Sequence, residues 1–435
     1  MKRSLSILLP VLALLLAACG GSDAPDETVD TPVPVEPTTP PPATLPPPVI
    51  TTDDDQDEES DEGSDQGDQD QDTEEPGGPV VPWPADTFGY GAQSHAVVGD
   101  PAFAMDVVSS QLDLDWVKVQ LKWAHVQPEQ EVDQWFIYDG AVDEANKKGL
   151  NLMLSVVSAP PWTRASGGEN GPPDDFSQFA QFLDQLLDRY PGQIQAIEVW
   201  NEQNLDREWA TADGLRPDRY VEFLAEAYKT IKAKDPNIMV ISGALAPTGI
   251  HDEVTSYDDF LYLDAALAAG LLNYADCVGV HHNGYNIGPD VGFEEASADP
   301  EAETAFYRGP FDNPHHSWSF KTTVDTYAEK VQAIDPAKKL CVTEFGWASN
   351  EGYDTLQEGF EWAADNTLEE QAQFITQAFQ QMHDSEDVWL AFLFNYDFGN
   401  KGGGPEDNKV HYSIIDINGA PRPAFGAVGE MPKTP

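Results

Sequence analysis

Short apolar runs, each bounded by turn-forming residues, alternate along most of the chain with longer amphipathic stretches. Such an alternation is typical of parallel β-strands that are connected by helices. The apolar runs predict eight strands, at Phe88–Gln93, Trp116–Leu121, Asn151–Val157, Ala196–Trp200, Ile238–Gly243, Cys277–His281, Leu340–Thr343 and Val388–Phe394.

The stretches between these runs carry apolar residues at the spacing of one helix face. They predict helices that include Phe176–Tyr190, Tyr220–Lys234 and Leu368–Met382, and Asp174 and Asp218 stand where they can cap or charge helix starts. Eight strands with intervening helices favour an α/β fold of the (β/α)8 TIM-barrel type. A doubly wound open sheet is the alternative, although no glycine-rich phosphate turn follows the first strand.

The N-terminal end has the pattern of an export signal. The positive segment Met1–Arg3 precedes an apolar run, Leu5–Ala18, that is too short to span a bilayer comfortably. The run ends in Leu16–Cys19, which resembles the bacterial lipobox, and this resemblance implies cleavage before Cys19 and lipidation of its thiol. We therefore expect an extracytoplasmic lipoprotein at the cell membrane or cell surface, with a plain signal peptide cut after Ala18 as the alternative.

Residues 20–80 contain no lysine, arginine or aromatic residue. Their first half is rich in proline and threonine, and Asp53–Glu75 is almost entirely acidic and polar. A segment of this composition cannot bury enough apolar surface to offset its chain entropy, so we expect a disordered linker. A calcium-binding tail is the alternative, but the ligand spacing of a calcium loop is missing. The sequence thus divides into a signal peptide (1–19), a linker (20–80) and one domain (81–435).

Charge and cysteine content restrict the partners of this domain. The net charge of the chain is −53, which makes nucleic acid and anionic membrane surfaces poor partners. We expect contact with a membrane through the lipid alone, a monomer, and no cofactor. An exported chain could pair Cys277 and Cys341, but both lie inside apolar strand-like runs, so we expect buried thiols, with a disulfide as the alternative. No zinc-type cysteine spacing is present.

In a barrel of this type the chemistry lies at the carboxyl ends of the strands. Two of the residues found there are glutamates, Glu202 and Glu344, and aromatic and hydrogen-bonding residues accompany them. Hydrolysis of a sugar bond needs two carboxyl groups, and aromatic faces stack on pyranose rings. The other residues at or just past strand ends are His95, Lys122, Trp123, Trp162, Asn201, His281, Asn395 and Tyr396.

Two segments resemble signatures of glycoside hydrolase clan A. Ile197–Glu202 is similar to the fourth-strand motif of the clan, and Val342–Trp347 is similar to its seventh-strand motif. Within the clan the pattern is most similar to family 39 and neighbouring cellulase-like families, over about residues 88–425. The resemblance implies a retaining glycosidase that cleaves O-glycosidic bonds of a β-linked oligo- or polysaccharide, with Glu202 as acid/base and Glu344 as nucleophile.

The resemblance also implies substrate contacts. Asn201 would bind the 2-hydroxyl of the reacting sugar, and His281 would lie near the nucleophile. Two positions depart from the clan: His281 is followed by a second histidine and an asparagine, and Asn395 stands where a tryptophan is usual. The remaining predicted substrate contacts are Trp123, Trp162, Tyr285, Trp347 and Asn395.

Several alternatives stay open at this stage. Glu198 could support the site or pair inside the barrel, and we favour a structural pair. His281 and His282 should point to opposite faces of their strand, so no metal site is expected from His282, His315 and His316. A non-catalytic carbohydrate-binding protein on the same barrel is the alternative function. Loop lengths, among them that of 285–319, would decide between endo and exo action.

Overall fold

The computed structural model describes residues 78–168 and 170–434. The predicted signal peptide, the lipidation of Cys19 and nearly all of the predicted linker lie outside the described residues. Val80, which the sequence analysis assigned to the linker, is 3% exposed, and its backbone N–H donates to Asp235 at 2.7 Å. The packed domain therefore includes residue 80. Among the described residues, no helix has the length and apolar character needed to cross a membrane.

The described residues form eight parallel strands that curl into a nearly closed barrel. The strands neighbour one another in the order β5-β4-β3-β2-β1-β8-β7-β6, and single bridges such as Ile241 with Cys277 join β5 to β6. Their bounds are β1 Gly89–Gln93, β2 Trp116–Lys122, β3 Asn151–Val157, β4 Ala196–Val199, β5 Met239–Ser242, β6 Val278–Gly284, β7 Leu340–Trp347 and β8 Val388–Leu393. The predicted (β/α)8 barrel is confirmed.

A helix follows each strand and covers the outside of the barrel. The main helices are α1 Pro101–Asp106, α2 Phe136–Lys147, α3 Phe176–Arg189, α4 Pro217–Lys234, α5 Asp259–Ala268, α6 Phe320–Gln332, α7 Leu368–Ser385 and α8 Pro423–Glu430. Short helical turns at Trp123–Val126, Gly309–Asp312 and Asn408–Tyr412 lie in the loops.

Local sequence explains where these helices begin. Asp218 lies in the first turn of α4, as predicted, where a negative charge favours the helix dipole. The prediction for Asp174 was wrong by one position: Asp175 caps α3 by accepting the N–H of Ser177 at 3.0 Å, whereas Asp174 accepts the N–H of Ala165.

The barrel interior is apolar at its amino end and contains a disulfide bond. Cys277, just before β6, is bonded to Cys341 in β7, among buried side chains such as Trp116, Leu390 and Phe392. The expectation of two buried thiols was therefore wrong. Both cysteines are buried as expected, but β6 and β7 are neighbours in the sheet, and this brings the two Cα atoms to 5.8 Å. That separation lies within the range for a disulfide.

Candidate active site

A bulge in β7 positions Glu344. The register pairs Val280 with Val342 but His281 with Glu344, so Thr343 is an extra residue on β7. As a result, two consecutive side chains reach the barrel interior. Thr343 donates its hydroxyl to Glu198 at 2.6 Å, and Glu344 lies 3.1 Å from the Nζ atom of Lys118.

Glu202 is positioned by a tight turn that leaves β4. Trp200 and Glu202 both have positive φ angles, 78° and 44°, which are uncommon for residues with side chains and cluster at functional sites. The N–H of Glu202 donates to the carbonyl of Ala244 at 2.9 Å, which ties the turn to the segment after β5. Glu202 is 1% exposed and Glu344 is fully buried, so both carboxylates are shielded from bulk water.

His281 joins the two glutamates at the carboxyl end of the barrel. Its Nδ1 atom is 3.3 Å from Oε1 of Glu202 and 3.9 Å from Oε2 of Glu344. Burial alone would lower the pKa of His281, but the charge of Glu344 and the contact with Glu202 outweigh it and raise that pKa. The ring is therefore suited to carry a positive charge between the two carboxylates.

Lys118 organises the other side of Glu344. Its Nζ atom lies 3.1 Å from Glu344 and 3.3 Å from Glu198, and it donates to the carbonyl of Thr343 at 3.2 Å. All three charged side chains are fully buried. A buried charge is tolerated only when it is paired and hydrogen-bonded, so the group holds Glu344 in one position. Glu198 pairs inside the barrel, as expected.

Two further charged residues, Arg207 and Glu208, lie near Glu202 on the turn that follows it. Nη2 of Arg207 donates to Oε2 of Glu202 at 2.8 Å, and Nε lies 3.8 Å from Glu208. Burial would raise the pKa of Glu202, but its contacts with His281 and Arg207 outweigh burial and lower that pKa. Burial and the charge of Glu202 raise the pKa of Glu208 well above its usual value.

Two buried amides at the site have unused hydrogen-bonding capacity. The side-chain oxygen and nitrogen of Asn201 and of Gln93 have no hydrogen-bond partner within the described part of the chain. Asn201 is fully buried next to Glu202, and Gln93 ends β1 with 1% exposure. Buried polar groups normally find partners, so these amides are available to bind the hydroxyl groups of a ligand.

A small pocket opens beside Glu202. It is lined by Glu202, Arg207, Ala246, Pro247, His281, Asn283, Tyr285 and Ser317. Tyr285 is 2% exposed and packs edge-on against Trp318, so it forms a wall of this pocket. Trp162, after β3, is 37% exposed and donates its indole N–H to the carbonyl of Gln127. The predicted contacts Asn201, His281 and Tyr285 thus gather around Glu202, and Trp162 keeps an exposed ring.

The structure corrects two of the predicted substrate contacts, those of Trp123 and Trp347. Trp123 is 1% exposed and stacks on Phe182, so its ring belongs to the packing between barrel and helix. Trp347 is fully buried, and its indole N–H donates to the carbonyl of Ile287. The amide of Asn395 donates to the carbonyl of Lys409 and accepts the N–H of Phe398, and its contact with substrate stays a prediction. The side chain of a residue at a strand end points either into the barrel or towards the surrounding helices. Its position at the strand end did not predict which of these directions it takes.

The three histidines that were considered for a metal site have partners within the protein. His282 points away from His281, as predicted, and its ring lies 3.2 Å from the carbonyl of Ser317. Potential metal-ligand atoms of Asp258, His315 and His316 lie within 4.8 Å of one another. His316 already lies 3.2 Å from Asp258 and 3.0 Å from Asp259, so ion pairs account for this cluster without a metal.

The sequence analysis missed Lys118, Arg207 and Glu208. For Lys118 a signal existed, because a lysine in the middle of the apolar run 116–121 must be buried and therefore needs a buried anionic partner. Arg207 and Glu208 lie in a loop of mixed composition, and their approach to Glu202 follows from the turn geometry, which no sequence pattern indicated.

The structure is similar to solved glycoside hydrolases. A family 39 glycoside hydrolase from Bacteroides cellulosilyticus WH2 matches with a TM-score of 0.55 at 18% identity, over 79% of this chain and 64% of that chain. A monomeric β-xylosidase from Caulobacter crescentus CB15 matches with a TM-score of 0.52 at 18% identity, over 81% and 69%. The GH5_18 protein from Streptomyces cattleya matches with a TM-score of 0.53 at 16% identity, over 80% of both chains.

These likenesses establish the fold. The chain spans less than two thirds of the length of the family 39 structure. Comparison with protein-family models and with curated protein sequences found no match. The barrel is thus one that glycoside hydrolases also have, and the case for activity depends on the geometry of this chain's own residues.

Proposed function

We propose that this protein is a retaining glycoside hydrolase with Glu344 as the nucleophile and Glu202 as the acid/base. The observation that carries the proposal is that two buried carboxylates approach one nitrogen of His281, at 3.3 and 3.9 Å. The two oxygens can be no further apart than these distances combined. This limit accommodates the separation of about 5–5.5 Å of a retaining pair and reaches only the lower part of the range of roughly 6.5–9.5 Å for an inverting pair, so it supports the proposal of a retaining pair.

In the first step Glu344 attacks the anomeric carbon. Lys118 pairs with Oε1 of Glu344, and Oε2 faces His281 and the pocket side of the site. The bulge at Thr343 and the buried pair with Lys118 prevent the carboxylate from turning away, which supplies the pre-organisation that attack requires. The sugar carbon becomes bonded to Glu344 as the glycosidic bond breaks.

Glu202 serves both steps by moving one proton. As an acid it protonates the leaving oxygen, and as a base it then takes a proton from the water that releases the sugar from Glu344. The amide of Asn201, which has no hydrogen-bond partner among the described residues, lies beside it and is suited to bind the neighbouring hydroxyl group. The proposed substrate is a β-linked oligo- or polysaccharide, and the β-xylosidase among the similar structures supports this choice.

We also propose that the protein works outside the cytoplasm as a lipid-anchored enzyme. The lipobox-like segment ending in Cys19 supports this proposal. The disulfide between Cys277 and Cys341 supports it independently, because disulfides persist mainly in oxidising compartments.

The activity is tested with a set of aryl β-glycosides and β-linked polysaccharides, with product lengths followed over time. We expect the parent chain to hydrolyse at least one of them, and Glu344→Ala to abolish turnover of every substrate. Binding without hydrolysis by the parent chain would contradict the proposal and favour a non-catalytic carbohydrate-binding protein.

A further inference from the structure

The small pocket beside Glu202 lies on one side of the two glutamates. Glu202 is one of its lining residues and Glu344 is not. In the proposed reaction Glu344 attacks the sugar from one face, while Glu202 protonates the leaving oxygen on the other. The group that departs with this oxygen therefore extends on the Glu202 side, which is the side of the pocket.

The size of the pocket limits what can enter it. Its volume is about 20 Å³, and about 10–15 Å³ is enough to hold one water molecule. One hydroxyl group of a ligand therefore fits inside, whereas a whole sugar ring has to remain at the mouth. Ala246, Pro247 and Tyr285 supply apolar surface around this space.

One wall of the pocket is tied to the turn that carries Glu202. Asn204 accepts the N–H of Ala246 at 2.9 Å and donates to the carbonyl of the same residue at 2.8 Å. Asn204 is fully buried. Because both bonds join the segment after β5 to the turn after β4, the wall at Ala246 is held in position relative to Glu202.

Asn283 brings an available hydrogen-bond acceptor to this pocket. Its Oδ1 atom is buried and has no hydrogen-bond partner among the described residues. Asn283 follows His281 by two positions in β6, so the two side chains point to the same face of the strand. Buried polar atoms normally have a partner, and a hydroxyl group that enters the pocket would supply one.

The other polar residues that line the pocket already have partners. The hydroxyl and carbonyl groups of Ser317 each contact a histidine ring. His281 contacts Glu202 through Nδ1, and its Nε2 atom faces Glu198 at 3.8 Å. Arg207 contacts Glu202 through Nη2 at 2.8 Å. Asn283 is thus the lining residue best suited to recognise a ligand.

We infer that Asn283 selects the leaving group, by accepting a hydrogen bond from a hydroxyl group of the departing sugar that enters this pocket. Asn283 is then a specificity-determining residue, which favours bonds between two sugars over bonds to a group without hydroxyls. The inference rests on the proposed function, in which Glu202 protonates the leaving oxygen.

Three substrates with the same sugar and different leaving groups test this inference. They are a dinitrophenyl glycoside, a phenyl glycoside and a disaccharide that releases glucose or xylose, made with the sugar whose aryl β-glycoside the parent hydrolyses fastest. Phenol needs acid catalysis, as a sugar does, but has no second hydroxyl group. Asn283→Leu keeps the approximate size of the side chain and removes the acceptor.

We expect Asn283→Leu to lower the disaccharide-to-phenyl ratio of kcat/KM about tenfold, which is the effect of one lost hydrogen bond. The phenyl-to-dinitrophenyl ratio should stay at the parent's value, because acid catalysis by Glu202 is not involved. Asn313→Leu is the matched control: this asparagine is exposed, lies in the loop 285–319 outside the pocket, and should leave both ratios at the parent's values.

Three results would overturn the inference. If Asn283→Leu slows all three substrates equally, Asn283 supports only the structure of the site. If it lowers the phenyl-to-dinitrophenyl ratio, Asn283 acts through Glu202. If the disaccharide-to-phenyl ratio keeps the parent's value, the pocket holds a water molecule and no group of the substrate.

Transfer of the sugar to an added acceptor gives a second readout. After a dinitrophenyl glycoside has formed the glycosyl-enzyme, an acceptor hydroxyl attacks the sugar carbon, the bond to Glu344 breaks, and the hydroxyl proton passes to Glu202. We expect Asn283→Leu to lower the ratio of transfer to hydrolysis about tenfold for xylose or glucose. With methanol, which has no second hydroxyl group, this ratio should hold. An equal loss with both kinds of acceptor would overturn the inference.

Binding to a chain without the nucleophile separates this inference from the proposed function. In Glu344→Ala, calorimetry should show that adding Asn283→Leu weakens binding of the disaccharide about tenfold more than binding of the phenyl glycoside. Hydrolysis by the parent without this difference in binding would overturn the inference alone. The same difference in a parent that hydrolyses no glycoside would contradict the proposed function and with it the leaving-group role of Asn283.

Discussion

Lys118 is the residue on which the geometry of the nucleophile most depends. It is the cation shared by Glu344 and Glu198, and all three side chains are fully buried. Removing one partner of a buried ion pair leaves an uncompensated charge in a medium of low dielectric constant, which is more costly than losing a surface pair.

We therefore expect Lys118→Met to lower the free energy of unfolding by about 3–5 kcal/mol. It should also lower kcat/KM about 10²-fold or more, because Glu344 loses the group that positions it. Denaturant unfolding and steady-state kinetics measure the two effects. Lys147→Met is the control: its side chain is 64% exposed and pairs with Glu144, so a change within about 0.5 kcal/mol is expected. Equal effects of the two variants would contradict the role of Lys118.

For single residues of the site, the sequence allowed a prediction where the position follows from a strand end or a motif. Glu202, Glu344, Asn201 and His281 were predicted in this way. The structure places His281 near both Glu202 and Glu344, and the roles of these residues stay predictions. Trp123 and Trp347 were misjudged because the direction of a side chain at a strand end depends on local register. Trp347 follows Glu344 by three residues in a stretch of β7 with regular register, so strand alternation turns it to the opposite face. The bulge at Thr343 lies before Glu344, and the sequence carried no sign of it.

A disulfide bond and a group of ion pairs connect neighbouring elements of the barrel. One is the disulfide between Cys277 and Cys341, which joins β6 and β7 across a sequence separation of 64 residues. The other is His316, before α6, which contacts Asp258 and Asp259 at the start of α5. Strand and helix positions could be predicted from apolar periodicity, but the disulfide could not, because two isolated cysteines give no pairing signal before the strand order is known.

Replacing both Cys277 and Cys341 with serine should lower the free energy of unfolding by about 2–4 kcal/mol, since the bond restricts the unfolded chain. The folded variant should retain its kcat/KM, because the bond lies in the apolar interior cluster, away from Glu202 and Glu344. Thermal unfolding with and without reductant measures the effect. A parent chain whose unfolding is insensitive to reductant, or which shows two free thiols when denatured, would contradict the bond.

His316 should make stability depend on pH. Burial lowers its pKa, but hydrogen bonds to Asp258 and Asp259 prevail and raise it from 6.5 to about 9. A histidine with a raised pKa in the folded state contributes stability that is fully present below about pH 6.5 and is lost as the pH rises through about 9. We expect the melting temperature of the parent to fall more steeply over this window than that of His316→Gln. Parallel curves would contradict the ion pairs.

The whole molecule combines a strongly acidic chain with a self-contained barrel. The alternation of apolar runs predicted the barrel because each strand and each helix can be recognised from its own residues. The arrangement of the site also depends on which strands are neighbours in the sheet, and single elements do not reveal this. The division into linker and domain stays a prediction, and the buried Val80 shows that the packed part of the chain includes residue 80.

A chain that begins at Gly78 should therefore keep the parent's kcat/KM on soluble aryl glycosides and its melting temperature. In the full chain, Cys19→Ala should move the protein from the membrane fraction to the soluble fraction without changing its specific activity. Fractionation and kinetics measure both effects. Loss of activity in the shortened chain would contradict the linker, and unchanged membrane association of Cys19→Ala would contradict the anchor.

The roles of the two glutamates are tested most directly by the configuration of the products that azide forms with two variants. With Glu344→Ala, azide should attack in place of the missing nucleophile and give a glycosyl azide of inverted configuration. With Glu202→Ala and a dinitrophenyl glycoside, the glycosyl-enzyme still forms because that leaving group needs no proton. Azide then releases the sugar with retained configuration. Retention with Glu344→Ala together with inversion with Glu202→Ala would reverse the roles, and unchanged activity in both variants would contradict the account.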